Sequence, residues 1–140
     1  MTTTSAPLTQ WRGPIDHGEL HSLFEGAWGS ASDEEDIVRR LHAHSLGWVT
    51  ARHEQGRLAG FVNVAWDGEL HAFLLDTAVA PAARRTGLGA RLVAEATEGA
   101  RAAGCHWLHV DFEPGLRAFY LDACGFASTA AGLVDLTATR

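Results

Sequence analysis

The sequence contains little of what a secreted or membrane-embedded domain needs. Only two of its 140 residues are cysteines, Cys105 and Cys124, and they do not form a C-x-x-C pair. Two separated thiols favour a reduced, cytoplasmic protein over a disulfide framework. No apolar run is long enough to span a bilayer, and the first residues lack the charged start and apolar segment of a signal peptide. We therefore expect a cytoplasmic protein that has no membrane partner.

Basic charge is also scarce. The chain carries 17 acidic and 11 basic residues, for a formal net charge of −6, which argues against a nucleic-acid partner.

Metal-ligand spacing is missing as well. His42 and His44 are two apart on a predicted helix, and His106 and His109 fall on opposite faces of a predicted strand. We expect no metal site.

Periodicity and turn signals predict helices and strands within a single domain, residues 1–140, with 1–7 frayed. Helices are expected over 16–29, from Ser32 past Leu41, over 88–103 and over 116–123. Strands are expected over 48–52, 58–66, 70–79, 106–112 and 132–136, with a hairpin turn at Asp67-Gly68. Gly99 inside the third helix costs about 1 kcal/mol relative to alanine, and Gly104 ends that helix. This order of elements predicts a mixed sheet with helices on both faces.

Two common phosphate-binding patterns are missing. The chain has no G-x-x-x-x-G-K-[ST], and no G-x-G-x-x-G followed by an acidic residue at the ribose-binding distance. It has R-x-x-G-x-G instead, in Arg84, Gly87 and Gly89, where an apolar run meets an amphipathic helix. The first N–H groups of a helix lack partners within it, the helix dipole adds positive charge, and glycine lets a phosphate approach the backbone. The junction therefore predicts a site for a phosphate-bearing ligand.

A second pattern lies downstream, where a predicted strand ending near Phe112 is followed by the run from Phe119-Tyr120 to Gly125-Phe126. This run resembles F-Y-x-x-x-G-F, and the upstream motif resembles a coenzyme A signature, both of the GNAT family of N-acetyltransferases. The resemblance implies an α/β (α+β) fold with one mixed, mostly antiparallel sheet that is splayed at its centre. It implies direct transfer of an acetyl group from acetyl-CoA to a primary amine of a small molecule or peptide. It also makes a homodimer plausible.

The resemblance assigns the cofactor-binding residues to the end of the strand and the loop after it. These residues are Ala78, Val79, Arg84, Arg85, Thr86, Gly87, Leu88, Gly89 and Ala90. A backbone N–H near Ala78 or Val79 would hold the thioester oxyanion, and Tyr120 would act as the general acid toward the departing thiolate. Tyr120 also has a plain alternative, in which it packs the last helix onto the sheet.

The general base is the point at which the resemblance weakens. Several family members have a glutamate where this chain has Phe73, which cannot accept a proton. Strand alternation places the odd-numbered residues from His71 to Val79 on one face and Asp76 on the other. His71 is thus the candidate base, since an imidazole accepts protons near neutral pH, although it equally reads as a partly exposed strand residue. Asp76 and Glu113 are weaker candidates; Asp76 needs a buried hydrogen-bond partner, and Glu113 replaces a frequent asparagine.

Two other functions remain open. A coenzyme A-binding regulatory module without catalysis would explain the missing strand glutamate. A protein-interaction domain with a vestigial 84–89 loop would have no cofactor affinity. Neither cysteine is expected to act as a nucleophile, because neither lies in an activating environment.

Overall fold

In the computed structural model, which describes residues 5–32 and 36–138, five strands form one open sheet. Within that part of the chain, the strands and α-helices are β1 Leu8–Trp11, α1 His17–Trp28, α2 Ile37–His44, β2 Ser45–Arg52, β3 Leu58–Trp66, β4 His71–Val79, α3 Leu88–Ala102 and β5 Trp107–His109. The sheet order is β1-β2-β3-β4-β5, antiparallel throughout except for the parallel pair of β4 and β5. The predicted mixed, mostly antiparallel sheet is confirmed. None of these helices is long and apolar enough to cross a membrane.

Helices cover both faces of the sheet, as predicted. On one face, α3 buries Leu92 and Val93 against Val62 and Val64 of β3. On the other face, α1 and α2 bury a separate cluster against β2, β3 and β4. Its core members are Leu20, Leu23, Phe24, Ile37, Leu41, Trp48, Leu58, Phe61 and Ala78. The sheet is therefore the shared wall of two apolar cores, and residues that change face move from one core to the other.

Side-chain caps begin the first two helices. The carboxylate of Asp16 accepts the backbone N–H of Glu19 at 2.9 Å, as the predicted capping signal requires. The carboxylate of Glu19 pairs with Arg52 of β2 at 2.7 Å, which ties α1 to the sheet. Asp36 caps α2 in the same way, so that helix starts at Ile37 and later than Ser32. The residues 33–35 of the predicted start lie outside the described part of the chain.

The prediction of a closing strand over 132–136 is wrong. That segment forms no strand and is not part of the sheet, and Leu133, Val134 and Leu136 are exposed. The predicted strand over 106–112 shortens to β5, because its pairing with β4 stops at His109. Conversely, β1 is present in the structure but was not predicted, because four residues at the edge of a sheet show too little alternation of apolar and polar residues to be recognised.

The predicted helix over 116–123 has a different form. A 3₁₀ turn over Pro114–Leu116 leads into a π-helix over Ala118–Ala123, in which the N–H of Cys124 donates to the carbonyl of Phe119 five residues back. The chain has four residues between Tyr120 and Gly125, one more than F-Y-x-x-x-G-F. A π-helix closes its hydrogen bonds over five residues, whereas an α-helix closes them over four, so it accommodates one additional residue. The insertion is therefore absorbed while Tyr120 stays packed on the sheet.

A β-bulge interrupts the pairing of β3 with β4. Asn63 pairs with Leu75, but the next paired positions are Phe61 and Ala78, so two residues of β4 lie opposite one residue of β3. Asp76 is one of the two and takes φ 55°, in the left-handed region that aspartate tolerates better than most side chains. The bulge thus has its extra residue in a conformation that favours Asp, Asn or Gly.

The bulge overturns the predicted alternation along β4. Before the bulge, Leu74 packs in the core on the α3 side of the sheet. After the bulge, Ala78 has the same parity but packs in the core beneath α1 and α2. The odd-numbered residues from His71 to Val79 therefore do not share one face. Simple alternation fails because an extra residue reverses the facing of everything that follows it.

Gly99 is explained by Trp11 of β1, whose ring lies against α3. A Cβ added at Gly99 would lie 2.6 Å from a ring carbon of Trp11. We expect Gly99→Ala to lower the free energy of unfolding by about 1–3 kcal/mol through overpacking, although alanine is the better helix former by about 1 kcal/mol. Urea denaturation measures the difference. Combining it with Trp11→Leu should recover part of the loss, and fully additive losses would contradict this explanation.

Candidate functional site

The sheet opens between β4 and β5. Their parallel pairing covers only residues 71–73 and 107–109, while β4 continues to Val79. Beyond the strand, the N–H of Ala80 donates to the carbonyl of Ala59 at 2.8 Å. Because successive N–H groups of a strand point to opposite sides, the N–H of Val79 points away from β3 and into the opening. The structure thus leaves a backbone donor at the predicted oxyanion position.

The N-terminus of α3 faces the same end of β4. Gly87 is its N-cap residue at φ 82°, and a Cβ added there would meet nothing within 4 Å. The first backbone bond of the helix runs from the N–H of Arg91 to the carbonyl of Gly87 at 3.2 Å. The N–H groups of Leu88, Gly89 and Ala90 therefore precede the hydrogen-bond ladder. An open glycine and three such donors are the groups that the predicted anion site, called here the phosphate cradle, requires.

Two arginines at this junction, Arg84 of the loop and Arg91 of α3, have structural partners of their own. A guanidinium nitrogen of Arg84 donates to the carbonyl of Ala27 at 2.8 Å, near the end of α1. Arg91 donates to the carbonyl of Pro7 at 2.8 Å. Arg85 is exposed and takes φ 63°. The loop is therefore fixed to α1 by Arg84, and the first turn of α3 is fixed to the N-terminal segment by Arg91.

Gly89 serves packing as well as access to the backbone. A Cβ added there would lie 3.1 Å from the ring of Phe119 and 3.9 Å from Val79. The π-helix that carries Phe119 thus packs directly against the start of α3. A larger residue at position 89 would displace Phe119, so its effect on ligand binding would not report on the cradle alone.

Tyr120 lies at the centre of an aromatic cluster, and only 5% of it is exposed. Its ring stacks on Phe112 with centroids 5.0 Å apart and meets Phe126 edge to face. Burial raises the pKa of the Tyr120 hydroxyl, and a hydrogen bond with the side chain of Thr77 opposes that rise. Tyr120 therefore packs the π-helix onto the sheet and also holds its hydroxyl at the splayed part of β4. Thr77 was missed by the sequence reasoning, because no motif includes it.

His71 pairs with a second histidine. Its Nδ1 lies 2.8 Å from Nε2 of His109 on β5, and Phe73 stacks on the His109 ring with centroids 4.8 Å apart. Thr77 is the sixth residue after His71, which places it about 20 Å further along the strand at about 3.3 Å per residue. The pair therefore lies at the closed end of the opening, well away from the Tyr120 hydroxyl. Only the parallel register of β4 and β5 brings the two histidines together.

Asp76 has the hydrogen-bond partners that its half-buried position requires. Its Oδ2 accepts from Nδ2 of Asn63 at 3.1 Å and from Nη1 of Arg40 at 3.1 Å. Behind them, the hydroxyl of Ser45 lies 2.5 Å from Oδ1 of Asn63. Asn63 is buried, so this chain of polar groups lies beneath the bulge, on the face that α2 covers.

The structure gives little support for a catalytic role of Glu113 or of the two cysteines. Glu113 is exposed and precedes the 3₁₀ turn without a capping bond from its side chain. Burial raises the pKa of the Cys105 and Cys124 thiols, which disfavours the thiolate that a nucleophile needs. Over residues 5–32 and 36–138, no three His, Cys, Asp or Glu side chains are grouped so as to hold a metal ion.

Comparisons with known proteins agree on one family. The model of the acetyltransferase (GNAT) family matches residues 17–126. Mycothiol acetyltransferase from Kineococcus radiotolerans is 34% identical over an alignment 156 positions long, which covers 97% of this chain and 50% of that protein. The chain thus spans about half the length of this curated relative.

Two solved structures show the same fold. A GNAT family N-acetyltransferase from Escherichia coli in complex with CoA matches with a TM-score of 0.72 and 21% identity, over 91% of this chain and 72% of that one. Glucosamine-6-phosphate N-acetyltransferase from Arabidopsis thaliana matches with a TM-score of 0.72 and 16% identity, over 94% and 99%. At these identities the likeness establishes the fold alone.

Proposed function

This chain belongs to the acetyltransferase (GNAT) family, and from that premise we propose that it transfers an acetyl group from acetyl-CoA directly to a primary amine of a small molecule or peptide. One observation carries the proposal. The outward N–H of Val79, the start of α3 and the hydroxyl of Tyr120 all meet the open side of β4. An oxyanion donor, a phosphate cradle and a proton donor are the groups that thioester aminolysis requires.

The residues present suit acetyl-CoA. The N–H groups of Leu88, Gly89 and Ala90 would bind its diphosphate with the help of the helix dipole, and Gly87 leaves room for it. Bound acetyl-CoA supplies an activated acyl thioester. Loop contacts such as the bond from Arg84 to the carbonyl of Ala27 would hold these donors in place beforehand.

The chain supplies a group for each charge that changes during transfer. The N–H of Val79 would hold the thioester oxygen as it becomes negative, and Tyr120 would donate a proton to the departing sulfur. His71 is our candidate for removing the proton of the amine, and its distance from Thr77 along β4 requires a water relay. Asp76 and Glu113 are the alternatives to His71, and a pH–rate profile of each neutral variant would distinguish the three.

The first experiment is calorimetric titration of the protein with acetyl-CoA, followed by an assay of free thiol release with a panel of amines. The panel contains a polyamine, an aminoglycoside, an amino acid and a peptide with a free N-terminus. Glucosamine-6-phosphate completes it, because one of the similar proteins is an N-acetyltransferase named for that compound. Binding with turnover supports the proposal. Binding without turnover would favour the regulatory module, and no binding would overturn both.

We expect Tyr120→Phe to lower kcat by about 10- to 100-fold without changing the affinity for acetyl-CoA. A thiol with a pKa of about 8.5 leaves moderately well unaided, so the loss should be at the low end for a general acid. Because burial raises the pKa of Tyr120, the phenol stays protonated at alkaline pH. Below about pH 10, the pH–rate profiles of the wild type and of Tyr120→Phe should therefore have the same shape. A Tyr120→Phe variant that keeps the wild-type kcat would contradict the proton-donor assignment.

A further inference from the structure

We infer that Asp76 is a positioning residue, which holds the bulge of β4 so that Thr77 and Val79 face the reacting groups. The inference rests on the proposed function and assigns Asp76 a different part in it from that of a base. It also gives a purpose to Arg40, Asn63 and Ser45, which the proposed chemistry does not otherwise use.

The contacts of Asp76 point inward to the fold. Asn63 and Arg40 both donate to the same carboxylate oxygen, Oδ2, at 3.1 Å. Asn63 is in turn bonded to Ser45 at the start of β2. Two elements, β3 and α2, therefore hold the Asp76 side chain directly, and β2 supports one of its partners.

The backbone at Asp76 explains why it is held so firmly. Its φ of 55° is uncommon for a residue with a side chain, and it occurs where β3 and β4 change register. Leu74 before the bulge and Ala78 after it pack in opposite cores. Without the bulge, every residue beyond it would turn to the other face. Thr77 would then lose its contact with Tyr120, and the N–H of Val79 would no longer be placed with it.

Three variants separate positioning from proton transfer. Asp76→Asn keeps the side-chain shape, tolerates a positive φ and accepts both bonds through its amide oxygen. Asp76→Gly suits the φ value but removes the side chain, and Asn63→Ala removes one donor while leaving the carboxylate. We expect Asp76→Asn to retain kcat within about threefold, and the other two to lose about 10- to 100-fold, since small misplacements of reacting groups are costly. The KM for acetyl-CoA should change by less than about threefold in all three.

The outcomes are distinct. A loss of kcat in Asp76→Asn equal to that in Asp76→Gly, with Asn63→Ala at the wild-type rate, would make Asp76 the base and overturn the inference. Wild-type rates in all three variants would also overturn it. A wild type without turnover on any amine would overturn the proposed function itself. In that case the inference falls with it, before any variant is compared.

Controls guard against general instability. Glu19→Gln weakens an ion pair with Arg52, which lies at the opposite end of β2 from Ser45, and it should keep the wild-type kcat. Thermal unfolding checks that each variant is folded at the assay temperature. Should Asn63→Ala fail to fold, Ser45→Ala replaces it, because that change removes only the hydroxyl behind Asn63. Its kcat should fall by about threefold, and a wild-type rate would count against the inference.

Discussion

Replacing Val79 with proline is expected to lower kcat by about 100- to 1000-fold, the usual cost of losing one oxyanion donor. The affinity for acetyl-CoA should stay within about threefold, because the phosphate cradle is elsewhere, at the start of α3. The fold should tolerate the change, since the N–H of Val79 points into the opening and takes no part in the pairing with β3. Single-turnover assays with saturating acetyl-CoA would measure the loss.

Val79→Ala is the matched control for this prediction. Alanine trims the Val79 side chain, which packs against the core on the α3 side, but keeps the backbone N–H. It should therefore retain most of the wild-type kcat. Equal losses in the proline and alanine variants would show that the side chain matters and the donor does not. A proline variant that keeps the wild-type rate would place the oxyanion donor elsewhere on the chain.

The sequence predicts those parts of the site that depend on local chemistry. The glycine and arginine pattern after β4 predicts a helix start that binds an anion, and α3 begins at Leu88 with Gly87 as its N-cap residue. The caps at Asp16 and the stop at Gly104 are also read from neighbouring residues. The family assignment follows from motifs of this kind, and the family match over residues 17–126 confirms it.

Residues that depend on register are beyond such reasoning. The bulge at Asp76 leaves no mark in the hydrophobic pattern of β4, yet it decides which side chains face Tyr120. The contact between His71 and His109 likewise depends on how β4 and β5 align. Alternation predicts which face of the sheet a residue occupies only where the two strands pair residue for residue, without a bulge.

The segment 132–136 shows that local sequence also cannot predict whether a strand finds a pairing partner. The apolar residues near Leu133 have the composition of a strand, but a strand also needs an edge to pair with. In the structure that segment makes no such pairing. Composition alone therefore predicted an element that the described residues do not form.

The second large effect is expected from Ala90→Glu, which should weaken acetyl-CoA binding by about 30- to 150-fold. Ala90 is the third residue of α3, where its N–H would face the diphosphate. A carboxylate about 5 Å from a phosphate charge, at an effective dielectric constant of about 20 to 40, raises the binding free energy by about 2–3 kcal/mol. Calorimetry at low and high salt measures both the loss and its screening.

This substitution tests the cradle more cleanly than a bulky residue at Gly89, which would first displace Phe119. An acidic residue in the first turn favours the helix dipole, so Ala90→Glu should unfold no more easily than the wild type. Ala90→Gln has nearly the same size without the charge and should bind within about threefold of the wild type. If the two variants lose affinity equally, bulk is the cause and the electrostatic argument fails. If only the glutamate variant loses it, and salt restores part of the binding, a phosphate group lies at the start of α3.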